Sequence, residues 1–201
     1  MTMGRPRSFD RDEALERAMA VFWEHGYDAT SIAMLTAAVG IGAPSLYAAF
    51  RDKRSLFIEA LERYMRTYAA FIERALTEEP SARAAVERLL RDAAAAYTRA
   101  DRPHGCLLIS ATTNCSPQSA DIAAHLRDQR AAGARALESR IADGVRAGEL
   151  PAGTDTRTLA TFYGAVLQGM SAQARDGATT GDLHRIADHA LLAWPDPARC
   201  R

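Results

Sequence analysis

ATSIAMLTAAVGIGAPSLYAAF, residues Ala29 to Phe50, decides how the rest of the chain is read. It contains no Asp, Glu, Lys or Arg. It is nevertheless no membrane span, because Thr30, Ser31, Thr36 and Ser45 are polar and Gly40, Gly42 and Pro44 interrupt it. Helical spacing divides it into two short helices about a tight bend. Thr30 is expected to cap the first, which runs from Ser31 to Val39 with Ile32, Leu35 and Val39 on one face. Gly40 supplies a left-handed turn residue, Ile41 points inward, and Gly42-Ala43-Pro44 opens the second helix with proline in its first turn. Leu46 and Phe50, one turn apart, share the buried face of that helix. Two helices of about two turns about a glycine bend form a helix-turn-helix, a unit that docks its second helix in the DNA major groove. A helical hairpin inside an ordinary core has the same pattern, so the flanking sequence has to decide.

Working outward, Asp10 is placed to cap a preceding helix, with Glu13 three residues later as in a capping box. Ala14, Leu15, Ala18, Met19, Phe22 and Trp23 give it one wide apolar stripe, and Gly26 ends it. On the other side Asp52 reads as the N-cap of a further helix, which puts Lys53 and Arg54 in its first turn. Cations there oppose the helix dipole. A phosphate resting on the same helix end reverses the sign, since dipole and side chains then act together.

These residues carry a resemblance. FDRDEALERAMAVFWEHGYDATSIAMLTAAVGIGAPSLYAAFRDKRSLFIEAL resembles the N-terminal domain of the TetR family of bacterial transcription regulators over residues 8 to 61. The Gly-Tyr-x-x-Thr-Ser entry, Leu-Tyr-x-x-Phe on the second hairpin helix and the lysine after it all fall in register. The resemblance implies an all-α fold of about nine helices, with a three-helix DNA-binding head and a helical ligand-sensing and dimerisation domain over residues 62–194. It implies phosphate contacts from Thr30, Tyr47 and Lys53, and groove contacts from Gly42, Ala43 and Ser45. It also implies a dimeric repressor on a palindromic double-stranded DNA operator, released by a small-molecule effector. Ala49 stands where the family often has a phosphate-binding His or Tyr, and Pro44 where glycine is common. The second helix has no Arg, Asn or Gln for bidentate base reading. Specificity is therefore expected from Ser45, methyl contacts by Ala43 and Ala48, and DNA shape, with Arg5 and Arg7 of the basic arm in the minor groove.

Composition sets the outer bounds. The chain has 201 residues, 48% hydrophobic and 25% charged, enough for a proper core in one or two domains. Its 25 acidic and 25 basic residues cancel, so no global field draws it to nucleic acid. Three cysteines do not suggest a secreted disulfide framework. The start MTMGRPR lacks a signal-peptide core and no stretch is long enough to span a bilayer, so a cytoplasmic protein without membrane contact is expected.

The helix opened by Lys53 is read as one long lever to Leu76, shared by both domains. Beyond it, helices are expected over 81–100, 106–114, from Ser116-Pro117 to Ala147, over 155–174 and over 182–194. The last two carry Ala160, Gly164, Ala165, Gly169 and Ala190 among Phe162, Leu167, Met170 and Trp194. Small residues a turn apart let backbones approach. They serve either an intramolecular core or a two-fold seam, and a palindrome favours a homodimer through residues 155–194.

Five histidines show no metal-ligand spacing, so no metal and no cofactor is expected, and no catalytic residue. Tyr68, Tyr97 and Phe162 are candidates for a ligand cavity, although core and pocket aromatics read alike. His104-Gly105-Cys106 is the other candidate: a thiol at a helix N-terminus beside an imidazole is expected to have a lowered pKa. GCLLISATTNC resembles a C-terminal branch of the TetR family, some of whose members sense electrophiles or oxidants through a cysteine. Cys106 and Cys115 would lie roughly 13 Å apart on a continuous helix, too far to pair unless the helix breaks. A cysteine-based sensor of the same fold, or a helical enzyme using His104 and Cys106, therefore stands as the alternative.

Overall fold

The computed structural model describes residues 9–111 and 116–195. Arg5, Arg7, Cys115 and Cys200 lie outside them. Among the described residues there are ten α-helical segments and no strand, and one segment is a single turn. Nine helices of two turns or more remain, as the sequence suggests.

Helix α1 (Arg11–Ala29) starts on Asp10, whose carboxylate accepts from the amides of Asp12 and Glu13. Glu13 does not close the expected box and pairs with Arg17 instead. Gly26 (φ 76°, ψ −179°) breaks the helix where its sequence position indicates. Helices α2 (Ile32–Val39) and α3 (Ala43–Phe50) are bent by 91° to one another. Gly40 sits in the left-handed region between them (φ 77°, ψ 25°), with its amide bonded to the Thr36 carbonyl. Leu35, Val39, Leu46 and Phe50 close onto Leu15, Met19, Phe22 and Phe57 in a common core. This is the helix-turn-helix.

Two local expectations are corrected. Ser31, not Thr30, caps α2: its Oγ accepts from the Met34 amide at 3.1 Å. The lever helix is also broken. Helix α4 runs only from Lys53 to Thr67, and α5 from Ala70 to Glu78. The Ala69 amide reaches back to the Tyr64 carbonyl at 3.0 Å, closing α4. Tyr68 at this joint bonds to Glu16 on α1, packs edge-on against Trp23, and has the Arg102 guanidinium 4.3 Å over its ring. Contacts with α1 and the loop beyond α6 therefore turn the chain here, without any glycine or proline to announce it.

The body is built on α6 (Ala82–Tyr97), capped by Ser81 and buried against α5, α8 (Ala120–Arg146), α9 (Thr156–Arg175) and α10 (Thr180–Leu191). The single turn α7 (Leu107–Ser110) is wedged between α1, α4, α8 and α9. A 3-10 turn, Pro117–Ser119, leads into α8. The close approach of α6 and α8 is at Gly144, where a Cβ would lie 2.6 Å from that of Ala82. Gly133, further up α8, is exposed, and a Cβ built there meets nothing within 4 Å. No single helix among the described residues is long and apolar enough to cross a membrane.

Candidate nucleic-acid interface

Helix α3 turns Leu46 and Phe50 inward and leaves Gly42, Pro44, Ser45, Tyr47 and Ala48 on its outer side, with Ala43 half-buried. Tyr47, at 43% exposure, is one of the few large hydrophobic side chains left open on the molecule. It is not part of the apolar core. The end of α3 is held from behind by Arg11, which donates to the Ala49 carbonyl at 3.4 Å, lies 4.5 Å over the Phe50 ring and pairs with Glu59 at 2.6 Å. A cation on the last carbonyls of a helix also complements the negative end of its dipole.

Between α3 and α4 the chain makes a three-residue turn on Arg51 (φ 68°, ψ −59°), with the Asp52 amide bonded to the Phe50 carbonyl at 2.8 Å. Positive φ at a non-glycine residue is strained backbone. The turn leaves the Arg51 side chain 88% exposed, directly beside the start of α4. Asp52 then caps α4 through the Ser55 amide at 2.7 Å, and the Ser55 amide and hydroxyl hold its carboxyl below the usual range.

Lys53 is the first residue of α4, as its sequence position predicts. Its Nζ lies 4.4 Å from the centroid of the Tyr27 ring and 3.5 Å from the Asp28 carbonyl oxygen. Burial pulls its pKa down, while the Asp28 carboxylate acts the other way. The ammonium is thus pre-placed on an aromatic face at a helix N-terminus, where an anion is the partner that both the lysine and the helix dipole favour. Thr30 does not belong with it. Thr30 is wholly buried, and its hydroxyl donates to the Gly26 carbonyl at 2.6 Å, so it presents nothing to a phosphate. Ser31, one residue on, is exposed at the start of α2. Tyr27 and Ser31 belong to this surface and were missed in the sequence. The Gly-Tyr-x-x-Thr-Ser entry contains both, and only the alternation of buried and exposed positions separates Ser31 from Thr30.

The other candidates are not assembled into a site. Tyr97 is buried against Phe71, Tyr68 is at the α4–α5 joint, and Phe162 stands 40% exposed on α9. The grooves that Phe162 lines include neither Tyr68 nor Tyr97. Cys106 is buried and bears on the hydroxyls of Tyr64 and Tyr97 and the amides of Leu108 and Ile109. Burial pushes its thiol pKa up, against those hydrogen bonds, so the expected lowered pKa is overturned. A single helical turn such as α7 has too little dipole to compensate. His104 faces away, with Nδ1 3.2 Å from the Ala174 carbonyl oxygen. A protein retaining Cys106 but with Cys115→Ser and Cys200→Ser is expected to resist iodoacetamide at neutral pH, read by mass spectrometry. Rapid labelling of Cys106 in the folded protein would reverse this assignment. No His, Cys, Asp and Glu cluster among the described residues is arranged to hold a metal ion.

Comparison with known proteins agrees with this geometry. Residues 14–60 match the model of bacterial regulatory proteins of the tetR family, and residues 82–190 match the tetracyclin repressor-like C-terminal domain. The chain is 42% identical over 194 residues to the HTH-type transcriptional repressor ComR of Escherichia coli (strain K12), covering 96% of this chain and 92% of that protein. It is 33% identical over 174 residues to the HTH-type transcriptional repressor BdcR of the same organism, covering 87% and 83%. Among solved structures, a cysteine mutant of the TetR family transcriptional regulator CifR complexed with 26-base-pair double-strand operator DNA superposes with a TM-score of 0.92. That protein is 43% identical, with 96% of this chain and all of the other covered. With both halves of the fold matched and the helix-turn-helix in place, the chain belongs to the tetR family of bacterial regulatory proteins.

Proposed function

We infer that the protein is a DNA-binding transcriptional repressor that acts as a homodimer on a palindromic operator. The observation that carries this is the α2–α3 hairpin with Ser45, Tyr47 and Ala48 facing out beside Lys53, held over Tyr27 at the start of α4. In this reading residues 8–61 are the DNA-binding unit and 62–194 the ligand-sensing and dimerisation unit. Ser31, Tyr47 and Lys53 meet phosphates, while Gly42, Ala43 and Ser45 lie in the major groove. Arg5 and Arg7, outside the described residues, keep the minor-groove role given by their sequence. An effector of small-molecule size, acting on residues 62–194, relieves repression. The similarity of residues 82–190 to the tetracyclin repressor-like domain supports that half of the reading.

The dimer has its own support. A Cβ built at Gly164 or Gly169 meets nothing within 4 Å, so these glycines serve no close approach within the chain. Phe162, Val166, Ile186 and His189 line an open groove between α9 and α10. An unpartnered apolar groove flanked by small residues is the kind of surface a second copy fills in an isologous four-helix contact.

The test is gel-shift titration against DNA flanking the protein's own gene. Lys53→Ala is expected to weaken binding about equally on all sequences and to lower the salt slope by about one phosphate's worth. Ser45→Ala is expected to change base preference while leaving that slope alone. Unaltered affinity and salt dependence in Lys53→Ala would remove the phosphate role.

A further inference from the structure

Helices α1 and α4 are tied together along their length, across the boundary between the two units. Arg63 donates to Glu16 at 2.7 Å, Arg11 pairs with Glu59, and Trp23 meets Tyr64 edge-on at 4.8 Å. These contacts couple any tilt of α4 to α1. Several polar links between α1 and the helices beyond α6 meet at one corner, the C-terminal end of α1. Arg175, the last residue of α9, donates to the Trp23 carbonyl at 3.2 Å and the Glu24 carbonyl at 3.1 Å. These are carbonyls just before the break at Gly26, and a guanidinium fork satisfies two of them at once. Ser110 of α7 donates to the same Trp23 carbonyl at 3.3 Å.

A few residues on, the Asp28 carboxylate accepts from the Ser116 amide and the Ser119 hydroxyl at the entry to α8. One turn further into that entry, Asp121 pairs with Arg54, the neighbour of Lys53 on α4. Asp28 thus faces both ways: its carbonyl stands against Lys53 and its carboxylate against α8. Neither Asp28 nor Arg175 contributes to the apolar core. Gly105 has no room for a side chain because Ser171 and Arg175 press against it, with a built Cβ 3.0 Å from Arg175 Cγ. The Arg175 stem thus packs on Gly105 while its guanidinium reaches the two carbonyls.

We propose that Asp28 and Arg175 are positioning residues for operator reading: together they clasp the DNA-facing unit to the entry of α8 and the end of α9 and so set the spacing of the two heads. This rests on the dimeric, DNA-binding reading above. Arg175 ends the helix that carries the proposed seam, so in a dimer each head is registered to the seam through one such fork. Two recognition helices must stand about 34–36 Å apart to read half-sites one turn apart. A loosened clasp lets that spacing vary without removing any contact to DNA.

The experiment uses the full chain with Cys115→Ser and Cys200→Ser, spin-labelled through Ala37→Cys on α2 and Ala136→Cys on α8, both exposed positions. Labelled chains are diluted into excess unlabelled chains, so that distances within one chain are read. The unsubstituted clasp is expected to give a narrow distance distribution, Asp28→Ala and Arg175→Ala a broad one, and Arg175→Lys an intermediate one. Operator affinity should fall roughly tenfold in both alanine variants. The salt slope should stay at its wild-type value, unlike that of Lys53→Ala, because no phosphate contact is lost. A one-base-pair insertion between half-sites should cost the alanine variants less than wild type. Distributions as narrow as wild type in both alanine variants overturn the clasp, whatever the DNA result. Broad distributions in a protein that binds no operator leave the clasp standing and remove the DNA reading instead. If Asp28→Ala does not fold, Ser119→Ala removes one donor to the same carboxylate and is read in the same way.

Discussion

Phe57→Ala is expected to cost about 3–5 kcal/mol, the range for emptying a buried aromatic site. Phe57 is fully buried on α4, with Phe22 edge-on at 5.1 Å and Tyr27 at 5.0 Å between ring centroids. Those two rings stand on α1 on either side of its break at Gly26, so the three tie both parts of α1 to α4. Losing the ring leaves a cavity that short helices fixed at both ends cannot collapse to fill. The midpoint of thermal unfolding should drop by on the order of 10 °C for a chain of this size. A second consequence follows from Tyr27. Its ring supports the Lys53 ammonium, so a loosened Tyr27 should weaken DNA binding even at temperatures where the variant is folded. Phe57→Leu keeps most of the volume and should cost less than about 1.5 kcal/mol. A Phe57→Ala protein that melts with wild type would mean the ring is not the centre of the DNA-facing core.

Much of this was legible because the responsible physics is local. Gly40 takes the left-handed turn, Pro44 stands in the first turn of α3, and Asp10, Asp52, Ser81 and Asp155 accept from the amides that cap residues accept from. Each signal acts over a few residues and is written in those residues. What was misread depends on distant partners. The joint at Tyr68 is made by Glu16, Trp23 and Arg102, and no composition rule around Tyr68 announces it. Cys106 reads as an activated thiol from its neighbours along the chain, yet the hydroxyls of Tyr64 and Tyr97 and a buried setting decide its chemistry. Thr30 and Ser31 are both plausible caps, and which one faces solvent depends on how α2 sits against the break at Gly26. Tyr68, Tyr97 and Phe162 were grouped by residue type alone, and packing puts them at the α4–α5 joint, against Phe71 and on the outer side of α9.

Gly169→Leu is expected to convert the protein to monomers and to lower operator affinity about 10²–10⁴-fold, the avidity lost when two linked contacts become one. Within one chain the substitution is harmless. A Cβ at Gly169 has open space around it, and leucine is a better helix former than glycine by somewhat less than about 1 kcal/mol. The isolated chain should therefore be as helical as wild type, or slightly more so. Across a two-fold seam each copy presents the same residue, so one substitution places two leucines where close helix approach needs glycine. Phe162→Glu attacks the same face by another route. It removes an apolar side chain that is 40% exposed in the single chain and sets two carboxylates near each other across the seam. Both variants should sediment as monomers at micromolar concentration and keep wild-type affinity for a single half-site, because Ser45, Tyr47 and Lys53 are untouched. Phe162→Glu should recover some association at acid pH, as the glutamates are neutralised, whereas Gly169→Leu should not. Dimers of wild-type strength in both variants would mean that α9 and α10 do not form the seam and that the groove between them has another occupant.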